Sequence, residues 1–152
     1  MLKYKPCAVE MQSIVLDTNV VVSALISKNS PPSRIIDELV LNRKVELFVS
    51  DETLAEYVEV LGREKFARFS DFKTRAEILL NRLHEISLKH APDIRLDIIA
   101  DEEDNRFLEL ALIAQPDFLI TGNTNDFTMR TIGRTQIVTP REFCDLYWPE
   151  GF

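Results

Sequence analysis

The chain has 152 residues, a length that predicts one domain and argues against a second folded domain among them. We expect this domain to span residues 1–152, with an N-terminal extension at 1–12 and a core over about 13–146. Hydrophobic residues make up 45% and charged residues 28%, a composition that excludes disordered and fibrous proteins. No apolar run is nearly as long as a membrane-spanning helix, so we expect a soluble, cytoplasmic protein with no membrane contact. The net charge of −7 argues against a protein that holds nucleic acid by phosphate neutralisation alone.

The first part of the chain shows a strand pattern followed by helical patterns. Residues 13–16 form a short β-rich run that stops at the polar tripeptide 17–19, and residues 20–27 favour the first helix. After a Pro-Pro turn, Ser33 is expected to cap a helix that runs through Asn42.

The middle of the chain repeats this order. Residues 45–49 predict the second strand, and Ser50 and Asp51 offer caps for a helix that ends at Gly62. A further helical pattern runs from about residue 70 to residue 83.

A basic segment overlaps that helix. From Arg63 to Arg95 the chain has eight basic and five acidic residues. An acidic protein with one basic segment is typical of an enzyme that gathers carboxylates around a metal ion and meets a polyanion beside them. For any single Lys or Arg, a solvated helix face is the commoner explanation.

The remaining elements complete an alternating order. Residues 92–100 fit a loop with a short strand, 101–114 a helix, 118–121 and 135–138 two strands, and 140–146 a last helix. Alternation of strands and helices predicts an α/β fold with a mostly parallel sheet.

Three aspartates have both a functional and a structural explanation. Asp17 directly follows the first strand, where open α/β sheets bind ligands, but it is equally suited to cap the next helix. Asp104 falls on the apolar face of its helix, so its carboxylate needs a cation or hydrogen-bonding partners, although acids over 101–104 also suit the helix dipole. Asp126 follows another apolar strand, where an ordinary turn residue is the alternative.

Five motifs occur in order over nearly the whole chain: LDTNVVVSAL, SDETLAEYVEVL, ADEEDNRFLELAL, FLITGNTNDF and IVTPREF. Together they resemble the successive signatures of PIN-domain proteins, and they are particularly similar to the VapC-like toxins of toxin–antitoxin pairs. The resemblance implies a three-layer sandwich of helices around a central, mostly parallel sheet.

The resemblance also implies clustered acids that bind Mg²⁺ or Mn²⁺ for cleavage of RNA. Matched motif by motif, it assigns Asp17, Glu56 and Asp104 as catalytic acids and metal ligands. Glu56 is chosen by the resemblance alone, because other glutamates share its helix. At the fourth acid many relatives have Asp where this chain has Asn123, so either Asp126 or Asn123 is expected to supply the last ligand.

The residues expected to orient these carboxylates by hydrogen bonds are Thr18, Asn19, Asp101, Asn105 and Thr121. We therefore expect a divalent-metal-dependent endoribonuclease with an RNA substrate, acting as the toxin of a toxin–antitoxin pair with a cognate antitoxin protein. A noncatalytic RNA-binding or protein-interaction module on the same fold is the alternative from another class. A phosphatase with Asp17 as nucleophile is a third possibility, but that class expects a second Asp where Asn19 stands.

Assembly is expected to be homodimeric. Phe66, Phe69 and Phe72 lie among basic residues, a mixture common where a surface meets a partner. Their alternative role is ordinary core packing. The family resemblance favours a homodimer that places two acidic clefts beside one groove.

Overall fold

The computed structural model describes residues 11–99, 101–122 and 129–151. Helices and strands alternate through these residues as the sequence predicts. In chain order the elements are β1 (Ser13–Leu16), α1 (Thr18–Ile26), α2 (Pro31–Arg34, continued by the π-helical segment Ile35–Val40), β2 (Glu46–Val49), α3 (Asp51–Leu61), a short 3₁₀ turn (Glu64–Phe66), α4 (Phe72–Ile86), β3 (Leu88–Lys89), α5 (Glu102–Ala114), β4 (Phe118–Ile120), β5 (Thr131–Ile132), β6 (Thr135–Val138) and α6 (Pro140–Tyr147).

The strands of the described residues form one sheet in the order β3-β2-β1-β4-β6-β5. Neighbouring strands are parallel except for β5 and β6, which form an antiparallel hairpin. All four residues of β1 are buried, as expected for a strand at the centre of a parallel sheet that helices cover on both faces. The predicted α/β class with a mostly parallel central sheet flanked by helices is confirmed.

The first two helices begin earlier than predicted. α1 starts at Thr18 because Asp17 caps it, with its side chain accepting the Thr18 N–H. The prediction that Ser33 caps α2 was wrong: Ser30 is the cap, and the Ser33 hydroxyl instead accepts the Ser30 N–H at 3.0 Å. The Pro-Pro pair occupies the first helical positions, where proline's fixed φ and missing N–H are tolerated.

The helices that follow β2 in the chain agree more closely with the sequence-based prediction. Ser50 caps α3 and Gly62 ends it, as predicted. Phe66 and Phe72 are buried with ring centroids 5.0 Å apart, while Phe69 is half-buried. The core alternative is therefore confirmed for Phe66 and Phe72, so those two rings give no support to a homodimer surface.

Two short strands differ from expectation. Residues 92–99 contain no strand, and the sheet instead gains β3 just before them. The β5–β6 hairpin was not predicted, because a two-residue strand has no measurable periodicity; its turn uses Gly133 at φ 57°. Across the described part of the chain, no helix is both long enough and apolar enough to span a membrane.

Candidate functional site

The carboxyl ends of β1 and β4 meet at one edge of the sheet. The two strands are parallel neighbours with Leu16 opposite Ile120, so the residues that follow them, Asp17 and Thr121, come side by side. The Asp17 N–H donates to the Ile120 carbonyl at 2.9 Å. Because β2 and β4 lie on opposite sides of β1, this edge is the switch point at which open α/β sheets bind ligands.

The Asp17 carboxylate is held by three hydrogen-bond donors. Its Oδ1 accepts the Thr18 N–H at 2.7 Å, and its Oδ2 accepts from Asn19 Nδ2 at 3.1 Å and Thr121 Oγ1 at 2.7 Å. Asn19 in turn accepts the Gly122 N–H at 3.1 Å. The residue is only 3% exposed, and these bonds compensate the burial of its charge. Asp17 is therefore both a helix cap and a buried carboxylate at the switch point.

Helix α3 brings Glu56 to the same edge through its neighbour Tyr57. The Tyr57 side chain is fully buried and its hydroxyl donates to the Leu16 carbonyl, which fixes α3 against the end of β1. Burial and then the charge of Asp17 raise the pKa of Tyr57 well above its usual range, so the hydroxyl keeps its proton as a donor. In the sequence, Tyr57 is simply one residue of the apolar face of its helix, and nothing there marks its hydroxyl as a contact to β1.

Helix α5 carries Asp104, which is 9% exposed and so lies at the buried face that its periodicity predicts. The next residue, Asn105, fixes the chain that enters α5. Its side-chain oxygen accepts the Ile98 and Ile99 N–H groups at 3.0 and 3.1 Å, and its amide donates to the carbonyls of Ile99 and Asp101 at 2.9 and 3.3 Å. Asn105 therefore orders the backbone that precedes the acid.

Asp17, Glu56 and Asp104, distant in sequence, line one cleft of about 320 Å³, and Asp101 lies in the same lining. Within residues 11–99, 101–122 and 129–151, no group of three or more Asp, Glu, His or Cys side chains is gathered closely enough to hold a metal ion. The candidates for the fourth ligand, Asn123 and Asp126, lie outside the described residues.

The Thr18 hydroxyl is a further polar group of the cleft lining. It is buried and has no hydrogen-bond partner among the residues that the structure describes. A buried hydroxyl without a partner is uncommon, because its desolvation is not compensated. Thr18 thus places an uncompensated polar group next to the Asp17 carboxylate at the start of α1.

Two basic residues, Arg63 and Lys65, also line the acidic cleft. Both belong to the basic segment that the sequence predicts beside the carboxylates, although no single residue of that segment stands out in the sequence. Arg63 pairs with Glu59 one helical turn earlier at 2.7 Å, an exposed pair that is worth little. The cleft therefore combines carboxylates on one side with cations on another.

A buried ion-pair network, also missed from the sequence, connects the two helices that carry the acids. Glu109 on α5 is 2% exposed and contacts Arg95 and Arg106, each at 3.0 Å, and accepts the Leu96 N–H at 2.7 Å. Arg95 also pairs with Glu52 of α3 at 2.9 Å. The sequence offers one sign of this network: Glu109 stands between Leu108 and Leu110 in the apolar part of α5.

A larger cavity of about 570 Å³ lies between α1, α2 and α4. Its lining includes Leu25, Ile36 and Leu79 under a rim where Arg34 pairs with Glu38 at 2.6 Å. An apolar floor with a locally paired rim offers less chemistry than the acidic cleft, despite the larger volume.

A sequence model of the PIN domain matches residues 13–125. Among curated proteins, the chain is similar to the uncharacterized protein MJ1680 of Methanocaldococcus jannaschii, with 26% identity over 140 residues that cover 87% of this chain and 89% of that protein.

Two solved structures share the fold. VapBC2 from Rickettsia felis bound to a DNA fragment from their promoter gives a TM-score of 0.54 at 14% identity, covering 84% of this chain and 98% of that one. FitAB bound to an IR36 DNA fragment gives a TM-score of 0.55 at 20% identity, covering 84% and 94%. At such identities the likeness concerns the fold, whereas the sequence match covers most of the chain: this protein belongs to the PIN-domain family.

Proposed function

We propose that this chain is a divalent-metal-dependent ribonuclease that hydrolyses RNA phosphodiester bonds. The observation that carries the proposal is the shared cleft: acids from the end of β1, from α3 and from α5 line one opening at the switch point of the sheet. PIN-domain membership agrees with nuclease chemistry.

The donor set suits Mg²⁺ or Mn²⁺. Asp17, Glu56 and Asp104 would hold the cation, with Asp126 or Asn123 as the expected fourth ligand, because carboxylate and amide oxygens are what hard divalent cations prefer. The unpartnered Thr18 hydroxyl adds another oxygen that fits such a site or its waters. When bound, the cation supplies an acidified water and neutralises charge on the phosphate.

The chain's own residues orient the groups around the scissile bond. Thr121 and Asn19 donate hydrogen bonds to the Asp17 carboxylate and so fix its direction. Arg63 and Lys65 supply positive charge for phosphate oxygens. In the hydrolysis, a water oxygen bonds to phosphorus and the bond to one ribose oxygen breaks, so one product ends in a phosphate monoester and the other in a hydroxyl.

The biological role that we propose is that of a cytoplasmic toxin with a cognate antitoxin. The sequence resemblance to VapC-like toxins supports it, and the fold likeness to VapBC2 agrees with it. A homodimer is proposed on the same family resemblance.

Incubation of the protein with single-stranded RNA and Mg²⁺ or Mn²⁺ is expected to shorten the RNA, because the acids need a divalent cation to act together. Excess EDTA should stop the reaction and added metal should restore it, as followed on a denaturing gel. RNA binding that is equal with and without metal, and without cleavage in either case, would instead favour the noncatalytic RNA-binding module.

Thr121→Val tests the support of Asp17. The change keeps the side-chain shape but removes the donor to Asp17 Oδ2, so we expect Mn²⁺ affinity or cleavage to fall by about 10- to 100-fold. Stability should fall by about 1–2 kcal/mol. Calorimetric Mn²⁺ titration and cleavage rates measure the first effect, and urea unfolding measures the second.

Thr135→Val is the matched control. Its hydroxyl is equally buried and donates to the Pro116 carbonyl at 2.7 Å, outside the cleft lining. We expect a comparable loss of stability with unchanged Mn²⁺ affinity and cleavage. Similar losses of activity in both variants would show that Thr121 acts through general stability and not through Asp17.

A further inference from the structure

A second cavity of about 560 Å³ lies beside the acidic cleft. Lys65 and Phe66 belong to the walls of both, so the two openings share one side. The shared wall is the segment that joins α3 to α4.

One face of α1 contributes to the lining of both cavities, which are together called the groove. Because residues at i, i+3, i+4 and i+7 lie on the same side of a helix, the lining residues of α1 fall in one stripe. That stripe runs from Thr18 at the start of α1 through Asn19, Val22, Ser23 and Ile26. At 1.5 Å per residue, α1 gives the groove a length of about 12 Å, leading away from Asp17.

The wall of the groove carries a local excess of positive charge in an acidic protein. Residues 63–69 contain three basic side chains against Glu64. Lys65 Nζ lies 5.2 Å from the Phe66 ring centroid, and the Arg68 guanidinium lies 4.9 Å from that of Phe69, so each cation is held over an aromatic face. Neither joins an ion pair within the described part of the chain.

Three other members of the basic segment form ion pairs away from the cleft. Arg82 pairs with Glu85 at 3.5 Å and Lys89 with Asp51 at 3.1 Å, while Arg95 joins the Glu109 network. A net charge of −7 repels a polyanion at long range, so affinity for one depends on cations placed beside the cleft. Lys65 and Arg68 occupy that position.

We propose that this groove, with Lys65 and Arg68 in its wall, binds the single-stranded RNA next to the bond that is cleaved, through the phosphates of that strand. The inference rests on the proposed function, since it takes the acidic cleft as the place of cleavage. Contacts to phosphates carry no sequence information. The groove therefore sets the path and register of the strand and binds RNAs of different sequence alike.

The test uses Asp104→Asn as a background in which the RNA stays intact. Binding of fluorescein-labelled single-stranded RNA is followed by anisotropy over a series of salt concentrations with Mg²⁺ present. The double change Lys65→Ala and Arg68→Ala is expected to weaken binding by roughly tenfold or more and to reduce the slope of log affinity against log salt by about 1.4, which is about 0.7 for each lost phosphate contact.

The matched control is the double change Lys44→Ala and Lys73→Ala, which removes the same charge from exposed residues outside the groove. It should leave affinity and salt slope unchanged. Equal weakening by both double changes, or no weakening by the first in a folded protein, would overturn the proposed path.

The groove proposal and the nuclease proposal can be rejected independently of each other. Cleavage by the wild-type protein, together with unchanged RNA binding after the Lys65 and Arg68 changes, would reject the groove and leave the nuclease in place. Absence of cleavage by the wild type, together with loss of RNA binding in that double variant alone, would support the groove as an RNA site and reject the nuclease.

Discussion

Asp104→Asn is expected to abolish RNA cleavage, by about a hundredfold to a thousandfold or more, because it removes a charge that the cation and the attacking water require. The side chain is nearly buried and lines the cleft with the other acids. Cleavage of a labelled RNA in Mg²⁺ measures the loss. Asp145→Asn, the same change at an exposed position of α6, is the control and should cleave normally.

The same variant should keep its stability. Asparagine has the shape of aspartate, and removal of one negative charge lowers the repulsion among the acids of the cleft, so the Tm of the metal-free protein should stay level or rise. The increase in Tm that Mn²⁺ gives the wild type should shrink, because binding to the folded state is lost. A large drop in the metal-free Tm would show that Asp104 has a structural role and would remove it from the site.

An Asp17→Asn change is less informative than Asp104→Asn, because the structure gives Asp17 a structural role that the sequence does not show. Relief of charge repulsion alone predicts that neutralising either Asp17 or Asp104 spares the fold. In the structure, Asp17 accepts bonds from Thr18, Asn19 and Thr121, so Asp17→Asn places an amide against donors and disturbs the cap of α1. A loss of stability there is expected whether or not Asp17 binds metal.

Elements that depend on local chemistry could be predicted from the sequence. The limits of α3 follow from a serine cap and a glycine at its end, and β1 follows from the three consecutive apolar residues Ile14, Val15 and Leu16. The π-helical segment Ile35–Val40 and the strand β5 could not be predicted, because the first has the apolar periodicity of an α-helix and the second is too short to show any periodicity. An α-helix with the same apolar residues gives the same periodicity.

Local sequence also predicts only some of the candidate acids. The buried face of α5 places Asp104 inward from periodicity alone, whereas α3 has Glu52 and Glu59 beside Glu56. The structure separates these three: Glu52 pairs with Arg95 and Glu59 with Arg63, while Glu56 lines the cleft. Arg95 lies far along the chain from Glu52, so a contact of this kind is not visible in the local sequence.

Glu109→Gln is expected to lower the free energy of unfolding by about 1–2 kcal/mol, since it removes a buried hydrogen-bond acceptor of two partly exposed arginines and of the Leu96 N–H. Both Arg95 and Arg106 lie 3.0 Å from the Glu109 carboxylate. Urea unfolding should show a lower midpoint at an unchanged slope. Mn²⁺ affinity should also fall, because the network joins α3 to α5 and so sets the spacing of Glu56 and Asp104.

The control for this prediction is Glu59→Gln, which removes the same charge from an arginine pair of similar length on the exposed face of α3. Solvent screens that pair, so the urea midpoint and the Mn²⁺ affinity should not change measurably. If Glu109→Gln shifts the midpoint no more than Glu59→Gln does, the buried network adds nothing beyond an exposed pair. Apolar packing would then set the distance between the two helices, and the acids of the cleft would depend on the core alone for their positions.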